Sequence, residues 1–141
     1  MDKKGSIGFQ LIAIAAFYMM AALVIGLLMG VTKDHSLVSV HSHLGLLGWT
    51  TMGLTGLVYV AFPGCGRSAL ARVHFWFHNL GLPIMMVGLG VLALSGDTRA
   101  EPAVALGSSL VMAALLVFTV NLLRNGRRSV APQLSGTSVG R

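Results

Sequence analysis

The 141-residue chain has four acidic residues, one cysteine and a charged fraction of only 10%. Each shortage excludes something. A lone thiol, Cys65, forms no internal disulfide and lacks the partner spacing of a thiolate metal site. The acids, Asp2, Asp34, Asp97 and Glu101, all lie outside the long apolar stretches, so an intramembrane carboxylate pair is missing. A Ser/His/Asp set and a glycine-rich phosphate loop are missing too. Hydrolase and proton-antiporter readings thereby lose their groups. With so few charges and 55% hydrophobic residues the mean hydropathy is +0.79, which excludes an ordinary water-soluble domain of this size.

What the chain has is apolar sequence in four blocks, about 6–31, 37–62, 73–95 and 102–123. Each is long enough to cross a ~30 Å hydrocarbon core as a helix. The expected fold is all-α, an integral membrane four-helix bundle over residues 1–124 followed by a mobile basic tail over 125–141. The first block is too long for a signal-peptide core and is expected to remain as an anchor. Ser95-Gly96-Asp97 reads as a turn, Pro102 suits a first helical turn, Pro63-Gly64 ends the second helix and Pro83 is expected to kink the third.

Lys3 and Lys4 precede the first block, Arg67 and Arg72 separate the second from the third, and Arg124, Arg127, Arg128 and Arg141 follow the fourth. Only Lys33 and Arg99 fall in the other connections, beside Asp34, Asp97 and Glu101. The positive-inside rule then puts both termini in the cytoplasm, in a cell inner (plasma) membrane. Membrane topology thus accounts for the net charge of +6, and no nucleic-acid partner is expected.

The second block opens with His41-Ser42-His43-Leu44-Gly45, one to two turns inside the outer boundary. Imidazoles at that depth need partners. Two residues apart on a helix, they point ~160° away from each other, so His41 and His43 serve different sites. Neutral imidazole is a good axial ligand for heme iron, and glycines let a backbone approach a flat macrocycle. Gly45, Gly48 and Met52 continue the His41 face, and Leu46, Leu47 and Thr50 the His43 face. The plainer alternative is two histidines hydrogen-bonded between helices, with glycines that allow close packing.

The third block opens Arg72-Val73-His74-Phe75-Trp76-Phe77-His78-Asn79. His74 and His78 share a face at i,i+4, as metal ligands on one helix do. Without a carboxylate or cysteine to complete a set, they are expected instead in an interfacial aromatic belt, His74 in water and His78 bonded to a neighbouring helix. Counting from the two membrane boundaries leaves ~12 Å between the levels of His43 and His78, whereas two axial nitrogens on one iron lie only ~4 Å apart. A bis-histidine site must therefore recruit His35 in the outer loop or another copy of the chain. Asn79 and Asn121 are expected to bond between helices, Gly26 and Gly30 form a GxxxG contact motif, and Trp49 and Tyr59 read as packing groups.

His41-Ser42-His43-Leu44, then Gly56-Leu57-Val58-Tyr59-Val60-Ala61-Phe62-Pro63, then Val73-His74-Phe75-Trp76 resemble the last third of heme-copper oxidase catalytic subunits. The resemblance implies that His41 corresponds to the ligand of the high-spin heme and His43 to that of the low-spin heme. The family's copper-binding histidines and cross-linked tyrosine lie on helices with no equivalent here, so oxygen reduction is not expected. Because the family's twelve helices form three four-helix arcs, a chain the size of one arc implies a homo-oligomer, a homotrimer in preference to a dimer. Each interface would take His41 from one subunit and His43 from the next.

The resulting expectation is a small b-type cytochrome holding heme b between His41 and His43, with Gly45 and Gly48 beside it. Electron transfer or heme and gas sensing is expected rather than enzymatic turnover. If enzymatic, the chain would be a heme-dependent oxidoreductase, with respiratory-chain proteins as partners. His35, His74 and His78 are secondary candidates for metal. The alternative is a non-heme accessory or assembly partner of a respiratory oxidase, or a copper-handling protein. The scattered placement of Met19, Met20, Met52, Met85, Met86 and Met112 does not favour copper.

Overall fold

The structure, a computed structural model, describes the backbone of residues 6–135 and the side chains of residues 6–126. Lys3, Lys4, Arg141 and the side chains of Arg127 and Arg128 lie outside the described residues. The first helix, α1 (Ile7–Thr32), opens on Ser6, whose Oγ accepts the Phe9 N–H at 3.3 Å, and closes on Lys33 in the left-handed conformation. The second span has three parts: α2 (Val38–His43), a π-helical segment (Leu44–Thr51) and α3 (Met52–Ala61). A one-turn helix, α4 (Pro63–Gly66), leads to α5 (Ala69–Ser95), and a 3-10 turn (Thr98–Ala100) leads to α6 (Glu101–Ser135). Four segments, Ile7–Thr32, Val38–Ala61, Ala69–Ser95 and Thr98–Gly126, are long and apolar enough to cross a membrane.

Local chemistry sets most boundaries. Phe62, in an extended conformation before Pro63, stops α3, and Pro63 opens α4 where its missing N–H costs nothing. Gly96 takes φ +67 to end α5, and the Asp97 carboxylate accepts the Arg99 N–H at 3.0 Å to start the next turn. Two expected boundaries move. Instead of starting at Val73, the third long helix starts at Ala69, because the Ser68 hydroxyl caps the Ala71 N–H at 3.0 Å and brings Arg72 into the helix. The fourth does not stop at Leu123, since helical backbone runs on to Ser135 through the stretch expected as tail. Extending an existing helix costs far less than nucleating one, so the loss of an apolar face after Asn125 does not end it.

α1 packs along the second span and α5 along α6, so the bundle is two antiparallel pairs side by side. Both pairs rely on glycine. A Cβ on Gly56 would lie 2.8 Å from the Gly8 carbonyl oxygen across α1 and α3. On Gly107 it would run into the Met85 backbone nitrogen and the Gly81 carbonyl of α5. These close approaches do the work expected of Gly26 and Gly30: Gly30 faces open space, and Gly26 lies against an imidazole ring. At the end bearing both chain termini, wholly buried Asn121 of α6 ties the pairs together. Its Nδ2 donates to the Tyr59 oxygen at 3.3 Å and to the Cys65 carbonyl at 3.1 Å, and its Oδ1 accepts the Ser68 hydroxyl at 2.9 Å. Asn79, by contrast, bonds among the described residues only back to Phe75 of its own helix, at 2.8 Å, since four residues earlier a carbonyl is within reach of its amide. Burial beside this knot pushes the Cys65 thiol pKa up.

Gly107→Leu is expected to cost about 3 kcal/mol in detergent unfolding, whereas Gly30→Leu is expected to change stability by less than about 0.5 kcal/mol. Asn121→Leu strands the buried groups it serves and should cost about 2 kcal/mol in the same assay.

Candidate functional site

The two histidines of α2 engage different flanks of the second span. His41 turns toward α1, where its Nδ1–H donates to the Ala22 carbonyl at 2.8 Å and its ring lies over Gly26. A Cβ on Gly26 would come within 2.8 Å of His41 Cε1, so glycine at that position is what admits the ring. His43 turns the other way. Its Nδ1–H donates to the Ser39 carbonyl one turn earlier at 2.8 Å, and the ring lines a groove of about 420 Å³ shared with Leu47, Met85, Val111, Leu115 and Thr119.

A carbonyl can only accept, so both bonds place the imidazole proton on Nδ1 and leave the Nε2 lone pair free. That is the tautomer a metal-ligating histidine presents when a backbone carbonyl holds its far nitrogen. Among the described residues, neither Nε2 makes a hydrogen bond. The donor chemistry therefore fits axial ligation of heme, and the His43 groove falls in the ~300–1,000 Å³ range of small-molecule pockets. The glycine wall fits less well. A Cβ on Gly48 would meet Tyr18 of α1 at 2.7 Å, so helix packing takes the space a macrocycle would need there, while Gly45 faces open space.

His35 bonds within its own loop, its Nδ1–H donating to the Lys33 carbonyl at 3.1 Å, and is exposed. His74 is not at the water boundary: it is 0% exposed, between Tyr59 at 5.5 Å and Phe118 at 5.4 Å between ring centroids. The earlier start of α5 carries it inward by a turn. His78 is also 0% exposed and, as expected, bonds to a neighbouring helix, its Nε2–H donating to the Leu47 carbonyl at 3.1 Å. The acceptor belongs to the π-helical segment, a geometry found often at functional sites.

That bond also revises the depth count. His78 lies at the level of Leu47, one turn below His43, or ~6 Å rather than ~12 Å along the axis. This still exceeds the ~4 Å between two axial nitrogens, and the Nε2 of His78 is committed. A clamp within one chain remains unformed. Nothing in the sequence pattern signalled the π-helical segment or the full burial of His74, the second of which follows from how α5 packs on its neighbours. Among the described residues, no group of three or more His, Cys, Asp or Glu side chains gathers in metal-binding geometry.

Comparison of the chain with protein-family models, curated proteins and solved structures finds no match to any of them.

His74 keeps both ring nitrogens unpaired in a fully buried setting. Replacing it with leucine, close in volume and free of polar atoms, is expected to raise the stability of the metal-free protein by about 1 kcal/mol, read as a higher unfolding midpoint in detergent.

Proposed function

We propose that this protein is a small b-type cytochrome of a cell inner membrane, a homotrimer holding heme b at each subunit interface between His41 of one copy and His43 of the next. The observation that carries the reading is the pair of Nδ1–H bonds to main-chain carbonyls, which leaves two Nε2 lone pairs on opposite flanks of one span. Divergent ligands on a short bundle serve neighbouring copies better than they serve one another. Bound heme would supply one-electron chemistry.

The chain's own residues do the rest. Ala22 and Ser39 hold the two imidazoles in the ligating tautomer, Gly26 admits the His41 ring, and Leu47, Val111 and Leu115 keep the His43 groove apolar. Held by one histidine from each of two copies, a heme would keep no open site for oxygen, so the role proposed is electron transfer or sensing rather than oxygen reduction.

The orientation proposed has both termini in the cytoplasm. Arg67, Arg72 and Arg124 gather at the terminal end of the bundle. At the other end the Arg99 charge is paired with Asp97, Nη2 to Oδ2 at 3.0 Å, which holds the Asp97 carboxyl below its usual range. The sites would then lie toward the outer leaflet.

Protein expressed with ample heme and purified in mild detergent is expected to show a sharp Soret band with split α and β bands on reduction. One heme per chain and a native mass of three chains of 14.8 kDa should accompany it. His41→Ala and His43→Ala should each lose most of the pigment. A colourless or monomeric preparation, or loss of pigment in His74→Ala but not in His41→Ala, overturns the reading.

A further inference from the structure

Between α5, α6 and the second span lies a second pair of imidazoles that the heme reading does not use. His74 and His78 are both 0% exposed, one helical turn apart on α5, with ring centroids 5.6 Å apart and planes at 79°. Three of their four ring nitrogens are buried without a hydrogen-bond partner: Nδ1 and Nε2 of His74 and Nδ1 of His78. The fourth, Nε2 of His78, donates to the Leu47 carbonyl, which places the free lone pair on Nδ1. A buried polar atom left unpaired costs stability, so an unsatisfied set like this one calls for a guest.

We propose that His74 and His78 form a buried site for a single soft monovalent metal ion, Cu(I). Metal–nitrogen bonds of ~2 Å put the centroids of two imidazoles on one ion ~5–6.5 Å apart as the angle at the metal opens from tetrahedral to linear, and the observed spacing falls inside that interval. The second-shell bond from His78 to Leu47 orients one ligand in advance. Met52, wholly buried on the second span between Leu47 and Tyr59 in sequence and part of the same core, is the thioether suited by register to a third position.

Charge selects the ion. Both imidazoles are neutral donors, and among the described residues no carboxylate or thiolate joins them in a set of three. Born cost rises with the square of charge, so a divalent ion would pay about four times as much as a monovalent one to enter this apolar interior. Cu(I) also accepts two or three soft or imidazole ligands, whereas zinc and calcium require fuller sets. The site is separate from the His41 and His43 positions and does not depend on heme. It also lies on a helix other than those that carry copper ligands in the oxidases the sequence resembles.

The test is anaerobic titration of the purified full chain with Cu(I) against a chromophoric Cu(I) chelator, with metal content measured after desalting. One copper per chain is expected, with imidazole nitrogen scattering at ~2 Å in X-ray absorption. His74→Leu and His78→Gln should each weaken binding by at least about 100-fold, while His41→Ala and His43→Ala leave it unchanged. The glutamine amide nitrogen occupies the place of the imidazole Nε2 and can still donate to the Leu47 carbonyl, so His78→Gln separates loss of a ligand from loss of the helix contact, with circular dichroism and gel filtration confirming the fold. Failure of the wild-type chain to retain copper, leaving water as the only guest, overturns the proposal. So does copper retention by folded His78→Gln, or equally tight uptake of Zn(II).

Discussion

Inside an apolar bundle the main-chain carbonyl is almost the only acceptor an imidazole N–H can find, and the arrangement of this protein follows from which carbonyl each histidine reaches. His43 reaches back along its own helix to Ser39, His41 crosses to Ala22 of α1, and His78 crosses to Leu47 of the second span. Each bond fixes a tautomer and so decides which nitrogen keeps a lone pair. His74 reaches no acceptor and keeps two unpaired nitrogens in the interior. In an interior this apolar, these choices separate nitrogens committed to structure from those with a lone pair to spare.

Two of those bonds also hold the bundle together. The His41 bond joins α1 to the second span near one end, and the His78 bond joins the second span to α5 near the middle. Asn121 closes the other end, where it links the second span, the α5 cap and α6. Between these polar clasps the helices meet through glycines, with Gly8 against Gly56 and Gly81 against Gly107. In a membrane, where lipid competes equally for apolar side chains, close backbone contact and internal hydrogen bonds supply the specificity that hydrophobic burial cannot. The π-helical segment fits the same logic, since it is the stretch of the second span whose Leu47 carbonyl meets an outside donor.

The separation of His41 and His43 onto opposite flanks was legible in the sequence because it needs only helical geometry, and the two residues fall in α2, before the π-helical turn alters the phase. The four spans were legible because their length and greasiness are local properties. The start of α5 was misplaced by four residues, since Ser68 as a cap is a subtler signal than the arginines beyond it. That shift carried His74 from an expected wet interface into the core. Gly48 was read as a wall for a cofactor and instead packs against Tyr18, because a glycine in a span allows close approach without saying by what.

The amino-acid order by itself determined that the chain is helical and apolar enough to cross a membrane four times, and which residues share a helical face. Composition and the 3.6-residue period act over one span at a time, so no neighbour is needed to read them. Only the tertiary structure decided which face meets which helix. It paired Gly26 with an imidazole and Gly107 with Met85, gave His78 the Leu47 carbonyl, and left His74 with none. Those outcomes depend on the register and rotation of one helix against another, set by contacts between residues far apart in the chain.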